Sequence, residues 1–346
     1  MSLPLSAQEF AAMPLEGQLS ALRAVLPSAE PGALLELCAG LRDHAPLSWL
    51  CAQLALRGWL RGEAERQWFA RFLVGLSGTA VDKVLRALRD EVRRGGIQAT
   101  EDLAATLIAA LRVVPISRLP ALCLIDRALK HTFPDVRDRH VEAQVRGCRA
   151  AIDAGRVDEL DVARLAQLPS RAVVTLRERA RSGPAGALEA FDALRAELAR
   201  KAIEVLGNAP KAISQANAEE LLSRRVYTDP GHFLIELLQN AEDAGATTWR
   251  LTFDARRIVV WHDGLPFNAM DVVGVCSIGQ TTKRRQQIGF FGVGFKSVYE
   301  VSDRPRIYSD VYRFEIADVS IPKALSSWPS DLPQDGTVVV LPLRDP

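Results

Sequence analysis

The hydrophobic period of this chain changes once, and that change limits what it can fold into more than any other feature. Up to about Leu206 apolar residues recur at helical spacing. After Gly207-Asn208-Ala209-Pro210 they come in short alternating runs separated by turn residues. Val81, Val84, Leu85, Leu88 and Val92 form one helical face, which Gly95-Gly96 stops. Trp68, Phe69, Phe72, Leu73 and Leu76 form another. Further helices are expected around Leu19–Leu26, Pro31–Arg42, Glu101–Val113, Leu119–His131, Val136–Ala154 and Ala187–Leu206. Beyond the break, Trp249–Phe253, Arg257–Trp261, Arg306–Ser309, Tyr312–Ile316 and Thr337–Leu343 read as strands with helices between them. The chain therefore divides into an all-helical domain, 1–207, and an α+β domain, 208–346.

With 346 residues the chain exceeds the roughly 100–200 typical of one domain. Its 43 basic and 42 acidic side chains leave a net charge of +1, so no global field favours nucleic acid or an anionic membrane. The five cysteines are widely spaced and form no C-x-x-C pair, which argues against a disulfide framework or a zinc site. No apolar run approaches the roughly 18 residues of a membrane span, and the N-terminus lacks a secretory pattern. A cytoplasmic location follows as the expectation. Fragments such as Ala21–Pro27 and Ala110–Pro115 look alike, but without the regular period of a solenoid, so the helical half reads as an irregular bundle. Its role would be to bind a protein partner or act as a scaffold. His44, His131 and His140 are scattered there and read as surface or packing residues.

Two segments of the second half carry chemistry. Asp229-Pro230 suits a helix start, and the run that follows stops at Gly245. On that helix Glu236, Asn240 and Asp243 fall within ~60° of one another, opposite Leu234, Leu237, Leu238 and Ala241. Such hard oxygen donors suit Mg²⁺, although a solvated surface stripe has the same pattern. Downstream, Gly289, Gly292 and Gly294 lie within six residues, where the backbone can approach an anion closely. A helix opening at about Phe295 would add its N-terminal N–H groups, and Thr281, Thr282 and Lys283 would add hydroxyls and a cation. A mobile surface loop reads equally well from the glycines alone. A P-loop is excluded because Phe295 separates Gly294 from Lys296, and the glycine spacing is not that of a dinucleotide fingerprint.

Taken together and in order, these segments resemble the GHKL ATPases, the superfamily of gyrase, the heat-shock protein 90-like chaperones and the histidine kinases. The N-box E-x-x-x-N-x-x-D-A is matched by Glu236, Asn240, Asp243 and Ala244. The lid motif G-x-x-G-x-G-F is matched by Gly289, Gly292, Val293, Gly294 and Phe295, and the late G-T element by Gly336-Thr337. The runs LLQNAEDAGA and GFFGVGFKSVYEVSD look most like sacsin-type modules. The resemblance covers about Ile213 onward and leaves the helical half unassigned. It implies a Bergerat-type sandwich with a mixed sheet, holding ATP and Mg²⁺. Glu236 would be the general base and Asn240 the metal ligand, while Asp243 would support the nucleotide side of its helix. Amides around Gly292 and Gly294, with Thr282 and Lys283, would cap the phosphates, and Thr337 would bond near the adenine. At the base-reading motif D-x-G-x-G this chain has His262-Asp263-Gly264, with His262 in the aspartate's place. A neutral imidazole can accept one hydrogen bond there, and a simple turn accounts for the segment as well.

The expected function is a nucleotide-gated switch of chaperone-like or defence-complex type, with ATP closing a lid over Gly274–Gly292. Turnover would be slow, because no following domain supplies a basic finger to the γ-phosphate. A scaffold with a degenerate ATP site is the alternative. A histidine kinase is a weaker one, since no histidine of the helical half sits in a phosphoacceptor setting. Lys283-Arg284-Arg285 admits nucleic acid but reads more simply as a solvated surface.

Overall fold

A computed structural model describes residues 6–41, 43–94, 97–208, 231–276 and 294–344. They form two compact units, Met1–Val114 with Pro120–His140, and Pro115–Leu119 with Val141–Pro346. The first is entirely helical among the described residues. Its helices are α1 (Ala7–Ala12), α2 (Leu15–Val25), α3 (Pro31–Ala39), α4 (Ala45–Leu56), α5 (Glu63–Gly75), α6 (Gly78–Arg94), α7 (Ile97–Val113), α8 (Leu119–Thr132) and the start of α9 (Pro134–Asp153). The stripe expected on α6 is its buried face: Val81, Val84, Leu85 and Leu88 are all in the core, where α6 packs on α4. Phe69 of α5 is buried, and Trp68 stacks on Phe72 with ring centroids 5.3 Å apart. Among the described residues no helix is long and apolar enough to cross a membrane.

The second unit adds α10 (Val162–Leu165), α11 (Ser170–Arg181), α12 (Ala187–Gly207), α13 (His232–Asp243) and α14 (Ala269–Cys276) to six strands. These are β1 (Trp249–Phe253), β2 (Arg257–His262), β3 (Arg306–Ser309), β4 (Tyr312–Ala317), β5 (Ile321–Ala324) and β6 (Thr337–Pro342). The spatial order is β1-β2-β6-β3-β4-β5, and every neighbouring pair is antiparallel. The expected mixed sheet is thus corrected to an antiparallel one. β1–β2, β3–β4 and β4–β5 are joined by short turns, and β6 returns between β2 and β3 running opposite to both, so among the described residues no parallel crossover is made.

Side-chain alternation gives the sheet two distinct faces. Val259, Trp261, Tyr308, Val338 and Val340 cluster with Leu332 on one, against Leu325 and Trp328 of the β5–β6 connection. Val260 and His262, paired with Val339 and Thr337, point to the other.

The two compact units meet in sequence within α9, whereas the hydrophobic period changes at residue 207. Helices α11 and α12 therefore belong with the sheet. The buried stripe of α12, including Phe191, Leu198, Ala202 and Leu206, packs against β5, α14 and α11. Gly207, a linker residue by sequence, ends α12, and a Cβ there would lie 3.0 Å from the carbonyl oxygen of Pro322 in β5.

Candidate functional site

Helix α13 presents Phe233, Leu237 and Ala241 to the core. Leu238, expected on that apolar side, is 48% exposed: at 100° per residue it falls beside Ile235, which is 50% exposed, rather than over Leu237. The helix ends as the sequence requires. Gly245 takes φ +71°, its N–H donates to Glu242 O at 2.8 Å, and the Ala246 N–H donates to Ala241 O at 2.9 Å. Glu236, Asn240 and Asp243 stay on one side of this helix. Glu236 is half-buried, and His232 Nε2 lies 3.1 Å from its Oε1.

Register brings three polar residues to one end of the central strands. His262 of β2 faces Thr337 of β6, which in turn faces Ser309 of β3. The Ser309 and Thr337 hydroxyls, both buried, are 2.6 Å apart, and Ser309 Oγ also accepts from the Phe267 N–H at 2.9 Å. That bond fixes the loop leading into α14. There Asn268 Oδ1 accepts from the Met270 and Asp271 N–H groups, and Asp271 Oδ2 accepts from the Asn268 N–H.

Between α13, these strand ends and α14 lies a cavity of about 220 Å³. This is far more than the roughly 10–15 Å³ that holds one water. Its floor is Val260, His262, Thr337 and Val339, and its walls include Leu237, Asn240, Asp243, Phe267, Asp271 and Phe295. Of the residues expected to bind a nucleotide, Asn240, Asp243, His262, Phe295 and Thr337 meet around this space.

Glu236, Asp263 and Gly264 do not line it. Asp263 is committed elsewhere: its carboxylate accepts from the Thr247 and Thr248 N–H groups at 2.8 and 2.9 Å and from Thr247 Oγ1 at 2.6 Å. The Thr247 hydroxyl leads these donors in holding its acid well below the usual carboxylate range. Gly264 has a packing role. A Cβ there would be 3.0 Å from both Ala244 Cβ and Ala244 O, and the next residue, Leu265, donates its N–H to Ala244 O at 2.8 Å. Thr281, Thr282, Lys283, Gly289, Gly292 and Val293 lie outside the described residues, as does most of the Gly274–Gly292 lid.

The structure corrects two local expectations. The run from Gly294 to Glu300 winds as a 3-10 turn rather than an α-helix. Residues Phe295 to Tyr299 are all buried, Glu300 at its end is exposed, and the segment packs on α13. Lys296 Nζ donates to Val275 O and Val319 O, each at 2.6 Å, and burial pushes its pKa down to about 8. This lysine fastens the end of α14 to the β4–β5 turn.

The second correction concerns His262. Its Nδ1 accepts from the Gly264 N–H at 3.2 Å, and burial lowers its pKa. The neutral ring therefore carries its proton on Nε2, leaving that nitrogen a donor and not the acceptor that reading an amino group requires.

Sequence reasoning missed Asp271 and the triplet Pro169-Ser170-Arg171, which also line the cavity. The N-x-x-D cap before an apolar helix was a usable cue for Asp271. Nothing local marks residues 169–171, because only the packing of the helical segment on the sheet brings them there.

As to ligand chemistry, Asn240 and Asp243 offer hard oxygens to the cavity. Among the described residues no cluster of three or more His, Cys, Asp or Glu side chains could hold a metal unaided. That donor set fits a Mg²⁺ ion bound mainly by ligand phosphates and water, with one or two protein oxygens.

No family model matches the chain. Over 110 residues, 30% of the chain, it is 37% identical to Protein NO VEIN of Arabidopsis thaliana, and the aligned stretch is 4% of that protein. Over 104 residues, 25% of the chain, it is 33% identical to human Sacsin, of which 2% is covered. The chain thus spans a small fraction of these relatives, and what the comparisons give is a distant, partial sacsin-like relation.

Proposed function

We propose that this chain binds ATP with Mg²⁺ in the cavity between α13 and the central strands, and that occupancy acts as a nucleotide switch. The observation that carries the reading is the meeting of Asn240, Asp243, His262, Phe295 and Thr337, drawn from 98 residues of sequence, around one space. The similarity to Sacsin supports it. In this reading Asn240 would ligate the metal, and Asp243, one turn on, would support the nucleotide side of the helix. Thr337, oriented by Ser309, hydrogen-bonds at the base. Mg²⁺ would supply charge neutralisation for the phosphates. Glu236, one turn before Asn240 and outside the cavity lining, would have to turn from His232 toward the cavity to take the proton of the attacking water. The helical half would pass the bound state to a protein partner.

The test is calorimetric titration of the full chain with ATP and Mg²⁺. Binding is expected for the wild type, with at least a tenfold loss in Asn240→Ala. Glu236→Ala should bind normally and lose turnover; unchanged turnover removes Glu236 from the mechanism. A second reading, a scaffold with a degenerate site, is favoured by the donor that His262 presents. An absence of heat at millimolar nucleotide would select it.

A further inference from the structure

We propose that Arg171, from the helical segment preceding the sheet, is the cation of the nucleotide cavity and contacts the anionic part of the bound nucleotide. This rests on the nucleotide reading above and adds to it a residue far outside the segments that motivated it.

Arg171 is the second residue of α11 and lies on the cavity wall. Its position is fixed by its neighbour, since Ser170 Oγ accepts from Asn268 Nδ2 at 3.2 Å and Asn268 caps α14 on the opposite side. The ionisable side chains lining the cavity are Arg171, Asp243, His262 and Asp271. His262 is held neutral by burial, so Arg171 carries the fixed positive charge there among the described residues. Two carboxylates facing a polyphosphate repel it unless the balance is restored. A metal ion at Asn240 would restore part of it, and a guanidinium, whose planar fork matches phosphate oxygens, would supply the rest.

The pairing of the neighbouring arginines sharpens the point. Arg177 closes on Asp192 with bonds of 2.7 and 2.8 Å, Arg179 on Asp153 at 2.6 Å, and the buried Arg195 on Asp192 and Asp310. Arg171, about two turns before the first two on the same helix, has no carboxylate partner among the described residues. Among the described residues its charge is uncommitted, and the exposed side chain borders a cavity whose other charged lining groups are acids.

The experiment compares the 346-residue wild type with Arg171→Gln and Arg171→Lys in calorimetric titrations with adenosine and with a non-hydrolysable ATP analogue plus Mg²⁺. Arg171→Gln should weaken the triphosphate about tenfold, leave adenosine unchanged and flatten the salt dependence of triphosphate binding. Arg171→Lys should recover part of the loss. Equal triphosphate affinity in wild type and Arg171→Gln overturns the proposal. So does a parallel loss for adenosine, which would mark a packing role instead of a charge. Should the wild type bind adenosine and the analogue equally, Arg171 is overturned while a base-binding cavity stands; should it bind neither, the nucleotide reading falls and takes this inference with it.

Discussion

His262 and Asp263 are adjacent in sequence, yet the fold sends them to different tasks, and their titrations differ accordingly. Asp263 ties the α13–β1 turn to the end of β2, and its lowered pKa means that its stabilisation is present above the ordinary carboxylate value of 3.8. That contribution is lost as pH falls through the lower folded value. His262 has a base depressed by burial below the ordinary 6.5. In the window beneath 6.5 the unfolded chain binds more protons than the folded one, so stability is full above that window and declines as pH drops through it. His44 and His131 are lowered too, so the contribution of His262 has to be read as a difference. His262→Asn keeps an acceptor for the Gly264 N–H and removes the titration. Its melting temperature should fall less than that of the wild type between about pH 6.5 and 5. Superimposable pH profiles would remove His262 from the balance.

Elements were more legible in the sequence than their arrangement. The five expected strands all form, because two-residue periodicity and turn residues are local properties. β5 was missed: Ile321-Pro322-Lys323-Ala324 has a proline and no clean alternation, and it is a strand only through pairing with β4 at the sheet edge. Antiparallel order could not be read, since it depends on β6 entering between β2 and β3. For the candidate site, the N-box and the G-T element pointed to Asn240, Asp243 and Thr337, whereas Ser170 and Arg171 depend on packing between distant elements. The G-T glycine also has a mechanical role that the motif does not state. Gly336 has φ +67°, and a Cβ there would collide with the backbone oxygen of His262 and approach Trp261 Nε1 at 2.9 Å. The same indole donates to Asp335 O at 2.8 Å, so the turn entering β6 is pressed against β2. Gly336→Ala should cost about 1–3 kcal/mol in denaturant unfolding, from left-handed strain and the displaced strand end. A variant as stable as the wild type would show that this turn relaxes freely.

At the scale of the molecule, the division into compact units makes α12 part of the sheet's own core. Phe191, Leu198, Ala202 and Leu206 are buried in the second unit, Arg195 is buried between Asp192 and Asp310, and the end of α12 lies on β5. A chain cut at the change of hydrophobic period, 208–346, would expose the faces of β5 and α14 that α12 covers. It would also leave Asp310 without its arginine and remove the Arg171 wall. Each apolar side chain returned to water costs about 1.5–3 kcal/mol, and a whole domain has only about 5–15 kcal/mol to lose. A fragment of residues 134–346, which keeps α9 to α12, is therefore expected to unfold cooperatively on heating with near-UV dichroism of packed aromatics. Residues 208–346 alone should lack that transition and bind hydrophobic dyes. Were 208–346 to melt as sharply as the longer fragment, α12 would be an accessory to the sheet, and the wall that brings Arg171 to the cavity would be a dispensable addition.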